Sequence, residues 1–427
     1  MLTSVLASAP EIRSIDHIIF PDIKANVLSS GLSLYQDTDQ RYEVAKVQLV
    51  FDAGRTSEIK QLASRFTAMM LKEGTEKHTN SELSEYFDYR GATVQYSFDF
   101  DYVYLTLFCL SRQVVELLPR LAEMVYDSAL PPTELERLQM SSLQKIRYDL
   151  SKGDHVSYRE ITEKIFGSLH PYGYNSSETS IQALQLADVR EHYERTIQTG
   201  PVYIFVSGYV PDEAYHTLES AFAGHCIQPR AYPDPTSSSL EESTSIQLDG
   251  QDQMSLKLGM RTFSRTHEDH HALQLASTAL GGYFGSRLMS KIREELGLTY
   301  NIYSMMESYR HDGCMVIGAE LNAKSLSMAR VAIHREMARL RAENVEADEL
   351  ELVLNYLKGN MLSRTDGPFQ RIRSVRNVVL NGLPEDYYPR MFDFLQSMTA
   401  DRLRLTAEKY LNTADFYEVI VGDSSST

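Results

Sequence analysis

Residues 281–300 read Gly281-Gly-Tyr-Phe-Gly-Ser-Arg-Leu-Met-Ser-Lys-Ile-Arg-Glu-Glu-Leu-Gly-Leu-Thr-Tyr300. A glycine-rich turn leads into a helix. Leu288, Ile292 and Leu296 recur at helical spacing and predict an apolar stripe. Gly297 stands where a left-handed cap would end that helix, and a tyrosine-rich strand follows. A glycine stop leading into a strand occurs again 206 residues earlier, in Gly91-Ala-Thr-Val-Gln-Tyr-Ser-Phe98.

That echo is one of four. Val47-Gln-Leu-Val-Phe-Asp52 and Leu256-Lys-Leu-Gly-Met-Arg261 both read as strands, 209 residues apart. Glu134-Leu-Glu-Arg-Leu138 and Glu349-Leu-Glu-Leu-Val353 each open a long amphipathic helix, 215 apart. Tyr203-Ile-Phe-Val-Ser-Gly208 and Tyr417-Glu-Val-Ile-Val-Gly422 each read as a closing strand, 214 apart. A domain-sized period means a duplicated α+β domain and not a solenoid. Each half has few strands and many helices. Each is therefore expected to be a mainly antiparallel sheet with helices packed largely on one face. The tract Pro229-Arg-Ala-Tyr-Pro-Asp-Pro-Thr-Ser-Ser-Ser-Leu-Glu-Glu-Ser243 keeps no periodicity. It divides the chain into a first domain (1–223), a linker (224–253) and a second domain (254–427).

Composition narrows the partners. The 427 residues carry a formal charge of −16, which argues against nucleic acid or an anionic membrane. Runs such as Val202–Val206 are too short to span a bilayer. Cys109, Cys226 and Cys314 are three, odd in number and scattered, which fits a reducing compartment; Cys109 and Cys314 lie in strand-like apolar runs and read as buried thiols. The N-terminus lacks a charged n-region, which favours a cytoplasmic location. Ala7-Ser-Ala9 resembles a cleavage tripeptide, which leaves a mature periplasmic form as the alternative.

The Gly-Gly-x-x-x-Ser-Arg-Leu…Ile-Arg-Glu-x-x-Gly-x-x-Tyr segment, set in a duplicated α+β chain of this length, resembles the pitrilysin/insulinase family of zinc peptidases. It is most similar to the short-chain bacterial and processing-peptidase branch. Weaker echoes lie in Phe51-Asp-Ala-Gly-Arg55, Gly74-Thr75 and His170-Pro-Tyr-Gly173. The resemblance implies a His-x-x-Glu-His zinc motif just before Gly74-Thr75, with a later glutamate as third ligand. Here Arg65 and Met69 occupy the two His positions, Ala68 the general base and Lys145 the third ligand. Two cations, a thioether and a methyl group make no zinc site. A slip in the alignment does not rescue it, because no histidine lies between His17 and His78.

By the same resemblance, Arg293 and Tyr300 match the second-half pair that holds the substrate carbonyl and steadies the oxyanion. Read from the residues alone, an ordinary surface arginine and a half-buried strand tyrosine are the stronger reading, and the resemblance reverses it. The tyrosines Tyr300, Tyr303 and Tyr309 either line a peptide surface or pack a strand.

His267-Glu-Asp-His-His271 matches His-Glu-x-x-His literally. It falls at the expected start of a helix after Thr266, in a polar first turn, so an exposed helix start outweighs a zincin centre. The glycines of 281–285 lack the spacing and acidic partner of a dinucleotide fingerprint.

The resemblance implies a non-catalytic subunit holding no cofactor of its own. Zinc would reside in a homologous active peptidase subunit, and the pair would act on unfolded peptide. A homodimer or a purely structural, peptide-binding homologue is the rival. An autonomous zinc hydrolase using His267, Glu268 and His271 is the third reading.

Overall fold

A computed structural model describes residues 15–28, 32–200, 202–222 and 243–423. Cys226 and most of the linker tract lie outside them.

Eleven strands form two sheets among the described residues. The first holds β1 (Ala25–Val27), β2 (Ser33–Thr38), β3 (Val44–Phe51), β4 (Thr93–Phe98), β5 (Val103–Leu110) and β6 (Val202–Gly208), in the order β1-β2-β6-β3-β5-β4. The second holds β7 (Ser243–Gln247), β8 (Met254–Arg261), β9 (Thr299–Ser308), β10 (Gly313–Leu321) and β11 (Tyr417–Gly422), in the order β7-β11-β8-β10-β9. Pairing is antiparallel except β2 with β6 and β7 with β11. Strand β7 lies within the stretch 224–253 that the sequence assigns to a linker.

The duplication extends to register. Val47 faces Val206 across β3 and β6, and Leu256 faces Ile420 across β8 and β11. The shifts from 47 to 256 and from 206 to 420 are the 209 and 214 read from the sequence. Side chains alternate faces along a strand, so a slip of one residue would have turned every apolar residue outward.

One face of each sheet is covered by helices of its own half. In the first, Ala45, Val47, Leu49 and Phe51 pack beneath helices Ala63–Met70 and Val114–Tyr126. In the second, Leu256, Leu258 and Met260 pack with helices His270–Ser277 and Leu326–Ala342. Local chemistry fixes the helix ends. At Asn80–Tyr89 the Thr79 hydroxyl accepts from Glu82 N–H, and the Glu82 carboxylate accepts from Thr79 N–H at 2.7 Å.

The opposite face of each sheet is covered by the other half. Helix Gly153–Phe166 lies on β8 and β11, and helix Gly367–Leu380 lies on β2 and β6. Each is 14 residues long, each begins with glycine, and 367 exceeds 153 by the same 214. Glycine makes the first contact possible. A Cβ on Gly259 would stand 2.7 Å from Ile161 Cγ1 and 2.8 Å from Ile165 Cδ1. The halves thus exchange a helix, and each sheet receives one on its second face.

Candidate functional site

Helix Ala63–Met70 packs against Pro132–Leu150, which brings the four first-half positions into one neighbourhood. Ala68 is fully buried and Met69 packs on the first core. Lys145 pairs with Asp149 at 3.1 Å and keeps 65% of its side chain in water. Arg65 is largely desolvated: burial pushes its guanidinium below the usual range, and the charge of Arg55 adds to this, while Asp149 opposes it. Its Nε is buried with no acceptor among the described residues. That orphan is a donor, so a metal ion could not satisfy it. Guanidinium and ammonium offer no lone pair, and a lone thioether is a poor ligand for Zn²⁺. The residues present do not fit the metal.

In the second half, residues 287–295 form the expected helix after the glycine-rich turn, but its last turns are π-helical over Met289–Glu295. Leu296 N–H donates to Lys291 C=O at 3.1 Å, and Leu298 N–H to Ile292 C=O at 3.0 Å. Gly297 takes the left-handed conformation, φ +63°, as the sequence indicates. Leu288 and Ile292 are buried, but Leu296 is 37% exposed. The wider π turn rotates it off the apolar stripe, a departure from helical spacing that the pattern alone does not reveal.

This geometry brings Arg293 and Tyr300 to one cleft of about 480 Å³. Arg293 lies over the Phe284 ring at 5.0 Å and takes part in no ion pair among the described residues. Tyr300 is on β9, the edge strand of its sheet, and is 87% exposed. Glu320 and Asn322 complete one wall. Apart from Gln253, at the end of the stretch assigned to the linker, the lining comes from the second domain, and none of Arg65, Ala68, Met69 and Lys145 belongs to it. Phe284 was legible only as part of the glycine-rich turn; nothing in its spacing marked it as the arginine's support. The three tyrosines divide. Tyr303 lies under Lys257 at 5.6 Å, and Tyr309 joins an aromatic cluster with Phe100 and Tyr172. Only Tyr300 of the three is free to meet a ligand in the cleft.

The literal His-Glu-x-x-His is not helical at its start. The helix begins at His270, three residues later than the sequence suggests, with Asp269 before it rather than Thr266. His267 stacks on Phe263 at 3.8 Å, and its Nδ1 accepts from Asp269 N–H at 3.1 Å. Asp269 is held by Lys409 and Tyr410, both at 2.6 Å. His271 packs instead beside Tyr387 at 4.9 Å. No group of three metal-ligating side chains is found among the described residues. No helix among them is long and apolar enough to cross a membrane.

Two family models match the chain: "Insulinase (Peptidase family M16)" over residues 35–170 and "Peptidase M16 inactive domain" over residues 183–357. A Bacillus subtilis relative described as the uncharacterized zinc protease YmxG is 23% identical, over 84% of this chain and 89% of that protein. A Helicobacter pylori relative described as a non-peptidase homolog is 21% identical, over 92% and 96%. Among solved structures, a Pseudomonas fluorescens peptidase M16 inactive domain superposes with a TM-score of 0.83 at 21% identity, covering 94% of this chain and 98% of its own. One family thus accounts for the first half, the second half and the two-sheet architecture, and the chain belongs to peptidase family M16, the insulinase family.

Proposed function

We propose that the chain is the non-hydrolytic member of a pair. Its companion would be a homologous M16 peptidase that keeps the metal-binding histidines and glutamate. This chain would contribute donors to the substrate: the Arg293 guanidinium and the Tyr300 hydroxyl, directed at the carbonyl oxygen of a peptide and then at its oxyanion. The observation that carries the reading is the contrast between two places. The first-half helix carries Arg65, Ala68 and Met69, while the second-half cleft keeps an arginine with no ion-pair partner among the described residues beside an exposed edge-strand tyrosine. Peptide added along such an edge is recognised through its backbone, which suits unfolded substrates of varied sequence.

The test is co-expression with a homologue that carries intact His-x-x-Glu-His. Arg293→Ala and Tyr300→Phe are each expected to lower peptide turnover by roughly 10²-fold, the scale of a lost oxyanion donor, without altering assembly. Unchanged turnover in both would leave the rival reading, a structural or peptide-binding homologue or homodimer.

A further inference from the structure

A second and larger cavity, of about 750 Å³, lies where the two halves meet. It is bounded by the β4–β5 hairpin of the first sheet, the β9–β10 hairpin of the second, and the exchanged helix Gly367–Leu380. Arg265, Arg364, Arg373 and Arg376 all line it. Acids outnumber bases in the chain by 58 to 42, yet none of these four arginines forms an ion pair among the described residues.

The carboxylates nearby are otherwise engaged. Asp99 accepts from Asp101 N–H at 2.9 Å, from Tyr102 N–H at 2.7 Å and from the Tyr104 hydroxyl. Asp101 accepts from the Tyr172 hydroxyl at 2.7 Å and from Arg310 N–H at 3.2 Å. The Arg310 guanidinium turns away to Asp52 at 3.0 Å. Arg376 donates to the Gln48 amide oxygen and lies over the Tyr104 ring at 5.2 Å, so its partners are neutral. Beside them, burial and then the charges of Arg376 and Arg373 push Lys46 down to about 8. Gathering like charges at a partly desolvated place destabilises the free protein unless an anion joins them.

The duplication supplies an internal control. The exchanged helix of the other half, Gly153–Phe166, and the loop that follows it meet the same two hairpins through aromatic rings: Phe166 lies 6.0 Å from Tyr309, and Tyr172 lies 5.4 Å from Phe100 and 4.6 Å from Tyr309. That side is filled with carbon. Its counterpart is open and lined with guanidinium groups.

We propose that the cavity is a binding site for a small, multiply phosphorylated anion. Guanidinium forks match phosphate oxygens two at a time, and four forks lining one cavity exceed what one carboxylate can use. The volume is that of a small-molecule site, roughly 300–1,000 Å³. Tyr102, Tyr104 and Tyr309 add aromatic surface to the lining, which suits an organic part of the ligand such as a nucleoside.

The full-length chain, without any partner, is titrated with inorganic tripolyphosphate, ATP and citrate, with binding read by calorimetry and thermal shift. Tripolyphosphate, ATP or both should bind and raise the melting temperature. Arg364→Glu and Arg373→Glu, both at the solvent rim, should weaken binding at least about tenfold, the effect of replacing a charge-assisted pair by repulsion. Arg404→Glu, a surface control on another helix, should not. Binding of ATP alone assigns the ring wall a role; binding of both assigns the phosphate chain. No binding of either phosphate, equal binding in the rim variants, or citrate binding as tightly as tripolyphosphate would overturn the proposal.

Discussion

Arg371 grips Asp37 with two hydrogen bonds of 2.7 Å each, Nε to Oδ2 and Nη2 to Oδ1. Arg371 belongs to the exchanged helix of the second half, and Asp37 to β2 of the first sheet. Asp37 holds the Arg371 guanidinium above its ordinary range, chiefly through the hydrogen bonds. On the other side a link of reversed polarity, at a different position in the repeat, joins Lys257 of β8 to Asp154 of helix Gly153–Phe166. Each half is thus tied to the helix it receives by an ion pair as well as by apolar packing.

Breaking the first link should loosen the chain as a whole rather than one loop. Asp37→Asn is expected to cost about 1–3 kcal/mol, the scale of a partly buried, charge-assisted bidentate pair. Arg371→Lys should recover little, because an ammonium cannot make both bonds. The check is a urea melt monitored by probes in each half. Loss of coincidence between the two transitions is expected in the variant, and unchanged midpoints would contradict the linkage.

The duplication, the strands and the cap at Gly297 were legible because they follow local rules. Glycine stops, alternating apolar residues and amphipathic spacing do not depend on what lies far away. Leu296 was misread because a π turn changes the helical period without changing composition. The motif at His267 looked helical because spacing cannot tell a turn from a first helical turn. The helix exchange had no sequence signal, since an apolar stripe on Gly153–Phe166 does not say whose sheet it covers. The arginine cavity is drawn from residues 265, 364, 373 and 376, and only the fold makes them neighbours.

The close approach at Gly259 gives a second test. Gly259→Ala would place a methyl within 3 Å of both Ile161 and Ile165. Overpacking of this kind costs about 1–3 kcal/mol. Ile161→Ala should partly restore the double variant, so that the two changes are not additive. Additive losses would mean that the helix does not lie on β8 as described.

Acid should unfold the chain through histidines buried in the neutral form. Burial, and then the charge of Arg265, holds His271 down to about 4; burial likewise holds His270 down to about 3. Unfolded, both titrate near 6.5. As pH falls from about 6.5 toward 4, the unfolded state takes up protons that the folded state refuses, and stability is lost. At pH 5 the loss reaches up to about 2 kcal/mol per imidazole. His271→Leu, which keeps an apolar side chain beside Tyr387, should reduce the difference in unfolding free energy between pH 7.5 and pH 5. An undiminished difference would assign the acid sensitivity to other groups.

The first-half helix makes a prediction about metal and stability together. Treatment with EDTA should leave the melting temperature unchanged, because Arg65, Met69 and Lys145 offer no ligand set whose loss could be felt. Arg65 is itself a cost to the fold, since it is largely desolvated and its Nε lacks an acceptor among the described residues. Arg65→Met keeps the aliphatic stem, removes the orphaned donor and relieves repulsion from Arg55. It is expected to stabilise the chain by about 1 kcal/mol, or roughly 2 °C in melting temperature. If the variant were instead markedly less stable, the guanidinium would be engaged in the folded state after all. A fall in the melting temperature on chelation would restore a metal to a place whose side chains argue against one.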